Sequence, residues 1–116
     1  MHKKKSSYSS GLLAELLAVT LLTLKFYRII ERRYKTKLGE IDIIALRGKT
    51  LIFIEVKKRR NQQELFESIT TKQQKRITNT AELFIAKNQH FHSYKKRFDA
   101  ILITSNLFPI HIKDAW

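Results

Sequence analysis

The sequence has no cysteine, a single proline, and only 10 acidic residues against 23 lysines and arginines. Without cysteine there is no disulfide framework and no thiolate metal site, which fits a reducing cytoplasm. A long hydrophobic run is also missing. Glu15 interrupts the apolar stretch Leu12–Leu24, which falls short of the ~20 residues that span a bilayer. His2-Lys3-Lys4-Lys5 in front of it has the look of a signal-peptide start, but no small-residue cleavage site follows. No internal repeat occurs, and no linker is long enough to divide the chain. The 116 residues, 43% of them hydrophobic, therefore read as one folded domain with one core.

The shortage of acid leaves a net charge of +13. That balance implies an anionic partner, nucleic acid first and an acidic membrane surface second. The plain alternative is a basic, well-solvated surface. Residues 1–10 are basic and Ser-rich and read as a mobile arm; residues 11–116 read as the single domain.

What is present is organised around residues 39–60. Two Ile-rich runs, Ile41–Leu46 and Leu51–Val56, flank Arg47-Gly48-Lys49-Thr50. Their composition favours strands, and Gly48 supplies the positive φ of a hairpin turn. A turn centred on Gly48-Lys49 sets Asp42 opposite Glu55 and Glu40 opposite Lys57. Alternation then puts Glu40, Asp42, Phe53, Glu55 and Lys57 on one face. Facing carboxylates repel, and within apolar runs an unpaired charge is costly. A divalent cation such as Mg²⁺ or Mn²⁺ between Asp42 and Glu55 resolves the conflict, because hard cations take carboxylate oxygens with water completing the shell. Lys57, beside them, is placed to orient water or to steady a developing negative charge. The bland reading is a solvated strand end, which is what Glu-x-Lys alone usually means.

Gly39-Glu40-Ile41-Asp42 followed by Glu55-Val56-Lys57 resembles the YraN-like family of uncharacterised bacterial proteins, within the restriction-endonuclease-like nucleases that carry the PD-(D/E)xK signature. The likeness extends further. Gly11, Glu15 and Ala18 resemble the family's opening Gly-x-x-x-Glu-x-x-Ala, and Gln73-Gln74-Lys75-Arg76 its Lys-Gln-x-Arg/Lys. Arg97-Phe98-Asp99 resembles its Arg-Phe-Asp strand. Gln73 stands where the family has Lys, and Phe66-Glu67 where it has Phe-Gly. The resemblance implies a restriction-endonuclease-like fold and a catalytic set of Glu15, Asp42, Glu55, Lys57 and Gln74, with Asp42 and Glu55 holding the metal. For Glu15 the alternative is an acidic residue in the first turn of a helix, favoured by the dipole. For Gln74 it is a half-buried amide satisfying backbone groups.

In chain order, residues 11–24 read as a largely buried helix and 26–34 as a strand. Asn61–Glu67 reads as a polar connector, 68–89 as a long helix, 97–103 as a buried strand, and 110–113 as an edge strand bounded by Pro109. Arg32, Arg33, Lys35 and Lys37 form a basic lip before the hairpin; Lys57, Lys58, Arg59 and Arg60 form another after it, and Lys75 and Arg76 add to them. Basic lips around an acidic centre suit phosphodiester chemistry. His90 and His92 read as surface residues, and Asp99 as a structural partner of Arg97 or of a backbone group. The expectation is an α/β domain with a mixed sheet between two helices. Its expected function is Mg²⁺-dependent phosphodiester hydrolysis, in DNA ahead of RNA, with branched DNA a candidate by fold analogy. The alternatives are a non-catalytic nucleic-acid-binding module of the same fold and a protein of the membrane surface. Self-association as a homodimer is left open.

Overall fold

A computed structural model describes residues 2–116, with side chains described from Gly11 onward. The side chains of the basic arm expected over residues 1–10 lie outside the described residues. The elements are α1 (His2–Leu24), β1 (Arg28–Thr36), β2 (Gly39–Arg47), β3 (Thr50–Lys58), α2 (Gln62–Ser68), α3 (Thr71–Lys87), β4 (Lys95–Ile103) and β5 (Pro109–Ile112). One five-stranded sheet runs in the order β1-β2-β3-β4-β5. The β3/β4 pair is parallel and the others are antiparallel. This is the expected mixed α/β sheet flanked by helices, compatible with a restriction-endonuclease-like fold.

The apolar runs of β2 and β3 are buried on both faces, so each strand feeds two cores. On one face α1 lays Ala14, Ala18 and Leu22 over Ile43, Ala45, Ile52, Ile54, Ile101 and Ile103. On the other, Ile77, Ala81 and Phe84 of α3 cover Ile44, Leu51 and Phe53. Phe53 is fully buried, and truncating it to Ala would cost about 3–5 kcal/mol. Gly39 admits α3 closely: a Cβ there would lie 3.0 Å from Thr80 Oγ1 and 3.3 Å from Arg76 Cβ.

The stretch Asn61–Glu67 is helical where a connector was expected. Asn61 caps α2 by accepting from the Glu64 N–H at 2.9 Å, and Leu65 and Ile69 bury themselves against Ala100 and Leu102. The polar residues mask a helix with one apolar edge. The long helix correspondingly starts later, at Thr71, with Thr70 as its cap.

Two corners hold unusual residues. The Phe26 N–H donates to the Thr23 carbonyl (3.1 Å) and the Tyr27 N–H to the Leu22 carbonyl (2.9 Å), which closes α1 in a Schellman motif. Phe26 therefore occupies the left-handed position that glycine usually fills, at φ 69° and 85% exposed. At the far edge, the buried carboxylate of Asp99 anchors the C-terminal segment. It accepts from Arg97 Nε and Nη2 (2.8 Å each), His111 Nε2 (2.7 Å) and the Asp114 N–H (2.9 Å). Lys25 Nζ lies 2.9 Å from His111 Nδ1. An ammonium only donates, so Nδ1 accepts and Nε2 carries the hydrogen towards Asp99.

Candidate active site

Hairpin pairing runs from Arg47↔Thr50 to Ile43↔Ile54. Continued one step, it sets Asp42 against Glu55. There the ladder stops, and the Asp42 side chain takes over: its Oδ2 accepts the Val56 N–H at 2.8 Å. The strand is irregular at this point. Ile41 packs into the core under α3 and Ile43 into the core under α1, although residues two apart on a regular strand share a face. On the neighbouring strand Arg33 adopts φ 53°. The Asp42 carboxylate thus stands at the seam between β2 and β3.

Glu55 is buried and lies on the α3 side, in step with Leu51 and Phe53. Two donors meet its Oε2. One is the amide of Gln73, in the first turn of α3; the other is Lys57 Nζ, at 3.5 Å. Burial, then the charge and hydrogen bonding of Asp42, push the Glu55 carboxyl from 4.5 up to about 9, against the pull of Lys57. The two carboxylates therefore crowd each other in a poorly hydrated place, and one holds its proton at neutral pH. Two convergent carboxylates are a donor set that Mg²⁺ or Mn²⁺ takes, with water completing the shell.

The other expected site residues are placed elsewhere. Glu15 is buried and receives Arg32 Nε on Oε1 (3.0 Å) and Arg33 Nε on Oε2 (2.8 Å). Its charge is satisfied by two guanidinium groups, and among the described residues no three Asp, Glu or His side chains gather into a metal cluster. Gln74 turns away, its amide donating to the Ile69 carbonyl at 3.2 Å. Its neighbour Gln73 reaches the site, because one step along a helix rotates a side chain by about 100°. The sequence marks Gln73 only as a missing cation.

Of the basic lips, Lys35, Lys37, Lys58, Lys75 and Arg76 are exposed. Arg32 and Arg33 are shared with Glu15, though each side chain is about 40% exposed (42% and 41%). Arg59 Nη1 donates to the Lys58 carbonyl (2.8 Å), and Arg60 pairs with Glu64 through Nε (2.8 Å). Asp99 pairs with Arg97 as expected, while its bond to His111 has no counterpart in the sequence reading. His90 and His92 are exposed. No helix of the described residues is long and apolar enough to cross a membrane.

The profile described as Uncharacterised protein family UPF0102 matches residues 14–103. A UPF0102 protein of Parvibaculum lavamentivorans is 41% identical over 111 residues, which cover 96% of this chain and 84% of that one. A UPF0102 protein of Nitrobacter winogradskyi is 40% identical over 111 residues (96% and 94%). One from Mesorhizobium japonicum is 35% identical over 113 residues (97% and 90%).

Proposed function

Starting from the fact that the chain belongs to the UPF0102 (YraN-like) family, whose name assigns no activity, we propose that it is a metal-dependent nuclease hydrolysing phosphodiester bonds, in DNA ahead of RNA. The observation that carries this reading is the Asp42/Glu55 pair. Two carboxylates are pressed together beside Lys57, 3.5 Å from Glu55, on a chain of net charge +13. A purely structural hairpin gains nothing from that arrangement.

Each residue has a part. Asp42 and Glu55 would hold Mg²⁺ or Mn²⁺, which supplies charge stabilisation at the phosphoryl group when bound. The Val56 N–H fixes the Asp42 carboxylate, and the Gln73 amide fixes that of Glu55. The Lys57 ammonium orients the attacking water and steadies the charge that develops on the phosphate oxygens. Lys35, Lys37, Lys58 and Arg59 hold the backbone on either side. The absence of cysteine suits a cytoplasmic setting.

The test is a cleavage screen of linear, single-stranded and branched DNA and RNA, with Mg²⁺, with Mn²⁺ and with EDTA. The expected outcome is cleavage that needs the metal and falls at least about a hundredfold in Lys57→Ala, the scale of one lost electrostatic contribution. Cleavage by Lys57→Ala at the wild-type rate, or none by the wild type, removes the mechanism. One observation favours a second reading, a non-catalytic binding module. Arg32 and Arg33 occupy Glu15, so no third carboxylate joins the pair. Tight binding without cleavage in any metal would select that alternative.

A further inference from the structure

Beside the site, the turn between β4 and β5 is tied by three hydrogen bonds. The Thr104 N–H donates to the Phe108 carbonyl (3.0 Å), the Leu107 N–H to the Thr104 carbonyl (2.8 Å), and the Phe108 N–H to Thr104 Oγ1 (3.2 Å). This rigid turn presents apolar groups to water: Leu107 is 39% exposed and Phe108 65% exposed. Leu107 also sits at φ 63°, a left-handed conformation that a branched side chain adopts at a cost. Burial does not repay that strain, because neither side chain belongs to a core cluster.

The position of the turn is fixed by the sheet. Lys58 pairs with Ile103, and Ile103 pairs with Pro109. The Arg59 N–H donates to the Ile103 carbonyl at 3.1 Å. Phe108 therefore stands about two strand spacings, roughly 10 Å, from the basic lip that continues from Lys57. A stiff aromatic tip next to cations, a few nucleotides from a phosphodiester site, has the composition of a stacking platform for a base whose phosphates the cations hold.

We propose that Phe108, presented by the Thr104–Phe108 turn, stacks on an unpaired base of a nucleic acid bound at the Lys58–Arg60 lip, so that the preferred substrate contains unpaired or splayed nucleotides rather than continuous duplex. The inference rests on the nucleic-acid reading of the site and adds the substrate class to it. In a continuous duplex the bases are stacked and their faces are closed, and Phe108 has nothing to stack on. At a gap, flap or branch the faces are open.

The experiment measures affinity by fluorescence anisotropy in Mg²⁺-free buffer. The probes are a duplex DNA and the same duplex carrying a short unpaired segment, with 2-aminopurine in that segment reporting stacking. Wild type should prefer the unpaired probe and quench the 2-aminopurine. Phe108→Ala should lose about tenfold on that probe, within the range measured for a base–aromatic stack, change little on duplex, and leave the quenching undone. Phe108→Trp should restore both. Phe108 is largely exposed, so these variants keep the core. Equal affinity of wild type and Phe108→Ala for the unpaired probe overturns the stacking role and leaves the nucleic-acid reading standing. Failure of the wild type to bind either probe overturns both.

Discussion

Replacing Asp99 with Asn tests the buried polar anchor at the C-terminal edge. The wild-type carboxylate is completely buried and takes four hydrogen bonds, from Arg97 (two), His111 and Asp114. Burial alone would raise its pKa. The bonds from His111 and Arg97 and from the Asp114 backbone prevail, and it falls from 3.8 to about 2. The sign follows from linkage. A depressed carboxylate adds stability that is fully present above its unfolded value of 3.8 and is lost as pH falls towards 2. That part amounts to about 2 kcal/mol at pH 7. Asn keeps one acceptor but turns an NH₂ towards the Arg97 or His111 donor. Arg97 keeps its bond to the Tyr27 hydroxyl but loses its counter-charge, which brings the total to about 3–5 kcal/mol. For a chain of this length that is a fall of roughly 10–20 °C in Tm. Urea unfolding of both proteins at pH 7, 5, 4 and 3 is the assay. The gap should be widest at pH 7 and narrow at pH 3. A gap below about 0.5 kcal/mol at pH 7, or one that stays constant down to pH 3, would refute the reasoning.

Three further outcomes are expected. In EDTA the wild type should lose stability as pH rises from about 5 towards 9, by at most about 1.4 kcal/mol per unit, because folded Glu55 keeps a proton that the unfolded chain releases; Glu55→Gln should remove that slope in parallel urea titrations, and parallel curves would contradict it. Replacing Lys58, Arg59 and Arg60 together should flatten the slope of log K against log salt for DNA by roughly two to three units; an unchanged slope in anisotropy titrations would move the binding surface elsewhere. Phe26→Gly should stabilise by about 1 kcal/mol, because glycine holds a left-handed φ without strain; calorimetry showing a lower Tm would mean that the Phe26 ring contributes more than its exposure indicates.

The hairpin was legible because two short-range rules agree there: Ile-rich alternation, and a glycine where a turn needs positive φ. The helices on either face followed from apolar spacing. Helix α2 was not legible, because in so short an element Leu65 and Ile69 are too few to define a period. The break at Asp42 was not legible either. It shows only in the cores that Ile41 and Ile43 enter and in the bond that the Asp42 side chain accepts from the Val56 N–H, and no local signal in the sequence marks an aspartate for that. Within the site, Asp42, Glu55 and Lys57 could be placed from strand register, since side chains along a strand repeat every second residue. Gln73 against Gln74, and the pairing of Glu15 with Arg32 and Arg33, turn on helix rotation and on contacts between distant segments. A one-dimensional pattern does not carry those.

The sheet order also bears on how the chain reaches this state. Strands β1, β2 and β3 follow one another through tight turns, whereas β4 joins β3 in parallel only after the chain has crossed over through α2 and α3. Local pairings close short loops and lose little entropy in doing so; the parallel pairing closes a long one and is slower. Asp42 and Glu55 thus meet within the part of the chain favoured to form first, before Gln73 arrives on α3 to share the charge. In the still-hydrated meander both are ionised and repel, whereas in the finished protein burial leaves one of them protonated. A change that neutralises either carboxylate would register in the rate of folding, and a change at Gln73 would register mainly in the rate of unfolding.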